Sequence, residues 1–99
     1  MFIVAVVPAD AVGETAAGRQ KALACQTCHG LDGMAKIPEA PNLAGQPETY
    51  LAKALNDYRQ GARQNEMMSV VAQALSEQDI ADLAAYYSSI EIEAKPPPR

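Results

Sequence analysis

The chain has 99 residues, a hydrophobic content of 48% and a formal net charge of −4. This length fits one domain, but one Phe and no Trp leave few large side chains for its core. The negative charge argues against nucleic acid as a partner, because its phosphates would be repelled. Both cysteines lie in one pentapeptide, which excludes a long-range disulfide framework.

An apolar run, residues 1–7, opens the chain. It is far shorter than the roughly 20 residues that cross a bilayer, so no transmembrane segment is predicted. No basic residue precedes Arg19, whereas Ala9-Asp10-Ala11 has the small-x-small pattern of a cleavage site. We interpret residues 1–12 as either a leader remnant or an arm that packs on the domain.

Composition predicts a first helix over residues 14–24, rich in Ala. Gly18 lies inside it and lowers its propensity, which is understandable if a second helix crosses closely at that point. Gly18 would leave a groove in the first helix, and Tyr86, in the last predicted helix, is the candidate to fill it. Residues 30–46 are rich in Gly and Pro and predict an irregular loop.

Pro47 is suited to begin the second helix and Gly61 to end it. Between them, apolar residues recur at helical spacing: Tyr50, Leu51, Ala54, Leu55 and Tyr58.

A third, short helix is predicted over residues 68–74. The last begins at a capping box from Ser76 to Asp79 and carries a stripe of Ile80, Leu83, Ala84 and Tyr87. Six acids and no base lie between residues 65 and 94, which predicts a negative face on this helix. The Pro-rich end, residues 91–99, predicts an extended tail.

The pentapeptide Cys25-Gln26-Thr27-Cys28-His29 permits three interpretations: a dithiol redox centre, half of a zinc site, or haem attachment. A structural zinc site needs about four ligands, and the chain has two Cys and one His, all adjacent. A thioredoxin-like centre needs a βαβ setting, and no strand alternation is present. Two thiols for the vinyl groups and an imidazole for the iron are what haem c requires. We therefore predict that Cys25, Cys28 and His29 attach one haem.

His29 needs an acceptor for its second ring nitrogen, and we assign the carbonyl of Pro41. With no second His, Met is the natural sixth ligand of the iron. Met1 is terminal and Met34 is tethered near His29, which leaves Met67 and Met68. We favour Met68, which shares a helix face with Val71, Ala72 and Leu75.

On these motifs the chain resembles class I cytochromes c, especially small single-haem bacterial domains. The matching segments are residues 25–30, 41–46, 50–51, 61–63, 68, 75–76 and 79–87, and the resemblance covers about residues 18–89. It implies an all-α cytochrome c fold, with about four short helices around one covalently attached haem. The domain would span residues 13–90, with its first and last helices crossing at Gly18 and Tyr86.

The resemblance also implies site roles. Leu43 and Leu55 would pack on the macrocycle, with Tyr50 in the same pocket. Arg63 would pair with a haem propionate, its alternative being a solvated helix-end arginine. The family spacing again selects Met68 as the ligand, and the Pro41 carbonyl as the acceptor from His29.

Axial His and Met ligands leave no open iron position, which predicts a one-electron carrier and not an enzyme. Its expected partners are a donor dehydrogenase or reductase and an acceptor oxidase or reductase. The resemblance implies a periplasmic location, and we expect a monomer. Two alternatives stay open: a haem subunit that accepts electrons within a dehydrogenase complex, and a ligand-binding or peroxidatic haem protein from which Met68 dissociates.

Overall fold

Five α-helices and no strand occur in the part of the chain that the structure, a computed structural model, describes, residues 11–98. The helices are α1 (Thr15–Lys21), α2 (Gln26–His29), α3 (Glu48–Gln60), α4 (Met68–Gln73) and α5 (Glu77–Ser89). The all-α class is confirmed, and the helix beyond the four expected is α2, a single turn that carries the pentapeptide. The apolar run at residues 1–7, and all but two residues of the predicted arm at 1–12, lie outside the described residues.

The first helix is shorter than predicted. It ends at Lys21, and Ala22–Ala24 continues as a 3₁₀ turn in which the Cys25 N–H donates to the Ala22 carbonyl at 2.9 Å. Such tightening is common at helix ends, and here it leads directly into α2. Propensity alone favours a continuous helix through these alanines, which is why the change was not predicted.

The crossing of α1 and α5 occurs at Gly18, as predicted. A Cβ built on Gly18 would lie 2.0 Å from the Asp82 carbonyl oxygen and 2.7 Å from the Tyr86 Cβ. The two backbones are therefore too close for any side chain at this position.

The ends of α3 and α5 follow the sequence signals. Pro47, the predicted first residue of α3, is its N-cap residue, one position before Glu48, and Gly61 ends the helix with φ +82°. At α5 the capping box is reciprocal: Asp79 N–H donates to Ser76 Oγ at 3.0 Å, and Ser76 N–H donates to Asp79 Oδ2 at 2.9 Å.

The predicted negative face of α5 needs a correction at Asp82, because this acid is not exposed. It is 2% exposed, and its carboxylate accepts from Glu14 N–H at 2.8 Å, Gln78 Nε2 at 2.8 Å and Lys21 Nζ at 2.6 Å. Lys21 also pairs with Asp79 at 2.9 Å. Two of the six acids thus bind α1 to α5, and chiefly the Lys21 hydrogen bond lowers the pKa of Asp82.

The core lies between the 3₁₀ turn at Ala22–Ala24, α3 and α5. Its buried members are Ala22, Leu51, Leu83, Ala84, Tyr86 and Tyr87. The two tyrosines also hold the loop after α2: Tyr87 Oη donates to the Gly30 carbonyl at 3.3 Å, and Tyr86 Oη donates to the Leu31 carbonyl. Residues 91–98 are exposed and have no regular secondary structure. Among the described helices, none has the length and apolar character to cross a membrane.

Candidate functional site

A cavity opens between the loop after α2 and helices α3, α4 and α5; its empty space, which includes a part open to solvent, is about 780 Å³. Most of the residues that line it are apolar. Eight of the nine predicted site residues line it: Cys25, His29, Pro41, Leu43, Tyr50, Leu55, Arg63 and Met68. The ninth, Cys28, lies one turn of α2 away from Cys25, outside the lining.

Helix α2 places the two thiols and the imidazole. His29 N–H donates to the Cys25 carbonyl at 3.0 Å, which closes the turn that brings the three side chains together. Both cysteines are half-buried thiols. Burial is the main reason that the pKa of Cys25 is raised, with the nearby Cys28 adding to it.

His29 is oriented by the following loop. It is 8% exposed, and its Nδ1 lies 3.0 Å from the Pro41 carbonyl oxygen. This contact fixes Nδ1 as the protonated nitrogen and leaves Nε2 with the lone pair that a metal requires. The loop is itself held in place, since Leu43 N–H donates to the Gly33 carbonyl at 2.7 Å.

The three methionines of the described residues differ in their position relative to the cavity. Met68, the first residue of α4, lines the cavity together with Val71 and Leu75. Met67 is 55% exposed and Met34 is 43% exposed, and neither belongs to the lining. Met1 lies outside the described residues.

Arg63 stands at the cavity beside two aromatic rings. Its Nη1 donates to Tyr50 Oη at 3.3 Å, and its guanidinium carbon lies 4.8 Å from the centre of the Tyr58 ring. The hydrogen bond to Tyr50 is the first cause of a raised pKa at Arg63. Arg63 is exposed, and these two contacts hold its guanidinium at the cavity.

Some residues of the site were not predicted. The cavity is also lined by Asn42 and Gln46, whose polar side chains lie in an irregular loop and give no periodic signal. Asn65, in the turn before α4, contacts the backbone of Met68. The strong preference of Asn for helix N-termini would have identified it.

The donor set and the walls suit a haem. Two thiols and an imidazole stand on one short helix, a thioether lines the same cavity, and most of the remaining walls are apolar. Cys25 and Cys28 would hold the group covalently, and His29 and Met68 would supply nitrogen and sulfur ligands for its iron.

Comparison with known proteins gives the same result. The cytochrome c family model matches residues 15–91. Cytochrome c-554(548) of Halomonas halodenitrificans is 49% identical over 82 residues, which are 80% of this chain and 99% of that protein. The thiosulfate dehydrogenase electron acceptor of Thiomonas intermedia is 45% identical over 85 residues, which are 84% of this chain and 39% of that protein.

Among solved structures, reduced recombinant cytochrome c4 from Pseudomonas stutzeri superposes with a TM-score of 0.75 at 39% identity. The match covers 81% of this chain and 47% of that one. The chain thus spans nearly the whole of one relative but less than half of the other two. It belongs to the cytochrome c family, as a class I c-type cytochrome, a family of electron carriers that bind covalently attached haem c.

Proposed function

We propose that this cytochrome is a one-electron carrier in which His29 and Met68 occupy both axial positions of the iron. The observation that carries the proposal is that His29 and Met68 line one cavity while Met67 is turned out to solvent. With both positions filled, neither oxygen nor a substrate has a place to bind the metal.

The bound haem supplies reversible one-electron chemistry. The residues of the chain orient and enclose it. Pro41 holds the imidazole of His29 in one tautomer, and Leu43 and Leu55 contribute apolar walls that exclude water. Arg63 would supply the positive charge that pairs with a propionate of the haem. No residue is needed to donate or accept a proton, so we propose that the chain has no enzymatic activity of its own.

The proposed partners are redox proteins, a donor dehydrogenase or reductase and an acceptor oxidase or reductase. Because the haem of such proteins is attached outside the bacterial cytoplasmic membrane, as the family resemblance implies, we propose a periplasmic location.

Substitution of the two neighbouring methionines tests the ligand assignment. Met68→Ala should abolish the sulfur-to-iron charge-transfer band of the ferric protein, because it removes the ligand. Met67→Ala, its matched control, should leave the band intact because this side chain is 55% exposed and outside the cavity. Survival of the band in Met68→Ala would contradict the assignment.

A second function is favoured by two relatives, each named thiosulfate dehydrogenase electron acceptor. They are 45% and 42% identical with this chain, so the chain is also a candidate electron-accepting subunit or partner of such a dehydrogenase. Mixing it in the ferric state with a thiosulfate dehydrogenase and thiosulfate should then produce the ferrous spectrum. Failure to reduce it, with the dehydrogenase active on an artificial acceptor, would rule out this partner.

A further inference from the structure

Asn65 lies three residues before Met68, in the turn that leads into α4. Its Oδ1 accepts hydrogen bonds from the N–H groups of both Met67 and Met68, each at 3.0 Å. Both partners are backbone donors, so the side-chain atom facing them must be the oxygen. This one carbonyl therefore satisfies two of the N–H groups that the start of a helix leaves without partners.

The same turn is closed a second time by Ser69. Asn65 N–H donates to Ser69 Oγ at 3.0 Å, and Ser69 N–H donates to the Asn65 carbonyl at 2.9 Å. Asn65 thus makes hydrogen bonds with Met68 and with the residues on either side of it, Met67 and Ser69.

The opposite end of α4 is held by other residues. Gln73 Nε2 donates to the Arg59 carbonyl at 2.7 Å, and Arg59 Nη1 donates to the Leu75 carbonyl at 3.2 Å. The helix has six residues, of which one, Ala72, is buried. A helix this short is not stable by itself, so its ordering depends on its contacts and on its two ends. At the end that carries Met68, the hydrogen bonds are those of Asn65.

We infer that Asn65 is a positioning residue that keeps Met68 in its axial place and so protects the sixth position of the iron from competing ligands. The inference rests on the proposed His29/Met68 ligation. Without the two hydrogen bonds to Asn65 Oδ1, the turn before α4 populates conformations in which Met68 is withdrawn, and an external ligand selects those conformations.

The test is imidazole binding to the ferric protein, followed together with the sulfur-to-iron band. Asn65→Ala should bind imidazole roughly fivefold more tightly than the unsubstituted protein, the factor that loss of a helix cap typically produces. Asn65→Asp should bind it as weakly as the unsubstituted protein, because a carboxylate also caps and is favoured at the positive end of a helix.

Ser76→Ala is the matched control. It removes the cap of α5, whose Oγ accepts from Asp79 N–H at 3.0 Å, and α5 carries no proposed ligand. It should lower the stability to denaturant without changing imidazole affinity.

Any one of three results would overturn the inference. The first is an imidazole affinity of Asn65→Ala equal to that of the unsubstituted protein. The others are an affinity of Asn65→Asp, or of Ser76→Ala, as high as that of Asn65→Ala. Met68→Ala in the same series separates this failure from that of the proposed function. If Met68→Ala loses the band while Asn65→Ala behaves as unsubstituted, only the role of Asn65 fails. If Met68→Ala keeps the band, the ligation itself is wrong.

Discussion

At the scale of single residues, Asp82 joins the two ends of the described chain. Its buried carboxylate accepts from the backbone before α1, from Lys21 in α1 and from Gln78 in α5. A buried charge is tolerated only when its hydrogen-bonding capacity is met in this way, and removing the charge leaves the donors without a strong acceptor.

Asp82→Asn should therefore lower the free energy of unfolding by about 2 kcal/mol near neutral pH. The pKa of Asp82 is lowered in the folded state, first by Lys21, so its contribution is present above the unfolded pKa, about 3.9, and is lost as pH falls through the folded value. Denaturant titrations should show the difference between the two proteins shrinking below about pH 4.

Glu93→Gln, in the exposed tail, is the control for loss of one acidic charge and should unfold as the unsubstituted protein does. A difference for Asp82→Asn that stays constant between neutral and strongly acidic pH would contradict the role assigned to this carboxylate.

The same residue marks a limit of prediction. His29 and Met68 could be proposed as ligands because that role requires a nitrogen or sulfur side chain, and few such residues are present. The Pro41 carbonyl could be proposed because the family resemblance implies it. Asp82 looked like a surface acid because nothing local indicates that Lys21, distant in sequence, is its partner. Asn65 was not predicted for a different reason: it lies three residues before the predicted start of the helix at Met68, outside the helix that the sequence indicates.

At the scale of elements, the crossing of α1 and α5 depends on Gly18. Gly18→Ala should destabilise the protein by about 2 kcal/mol, even though Ala is the better helix former, because the new Cβ would overlap the Asp82 carbonyl. Thermal or denaturant unfolding measures this. Ala16→Leu adds side-chain atoms at an exposed position of the same helix and should change stability by less than about 0.5 kcal/mol. If Gly18→Ala were as stable as the unsubstituted protein, α1 and α5 would be able to move apart and admit the new Cβ without loss of stability.

Helix existence was predictable and helix ends were partly so. Ser76 with Asp79 and Gly61 are local signals, and both ends appear where expected. The 3₁₀ turn at Ala22–Ala24 was not predictable, because those alanines favour an α-helix and the change leads into the attachment turn. Gly13 carries no such local signal: a Cβ there would lie 2.2 Å from the Ala81 carbonyl oxygen, so the segment just before α1 also approaches α5 closely.

At the scale of the whole molecule, the core is small. Ten hydrophobic residues of the described chain are buried, and half of them are alanines, which contribute little apolar area. The walls of the haem cavity are mostly apolar, so the cofactor completes the core as well as performing the chemistry.

The double variant Cys25→Ala, Cys28→Ala should therefore lack covalent haem and lose most of its helical far-UV circular dichroism. Without the group, the apolar cavity walls face water and the remaining core is too small to offset the entropy of ordering the chain. Met67→Ala, with its haem attached, serves as the reference. A haem-free double variant that still unfolds in one cooperative thermal transition would contradict this view of the core.

The central claim is that the iron is closed to external ligands and open only to electrons. Carbon monoxide added to the ferrous protein at neutral pH tests it most directly. The axial pair of His29 and Met68 predicts an unchanged absorption spectrum at saturating gas. Conversion to the spectrum of a carbon monoxide complex would contradict the claim and favour a ligand-binding haem protein.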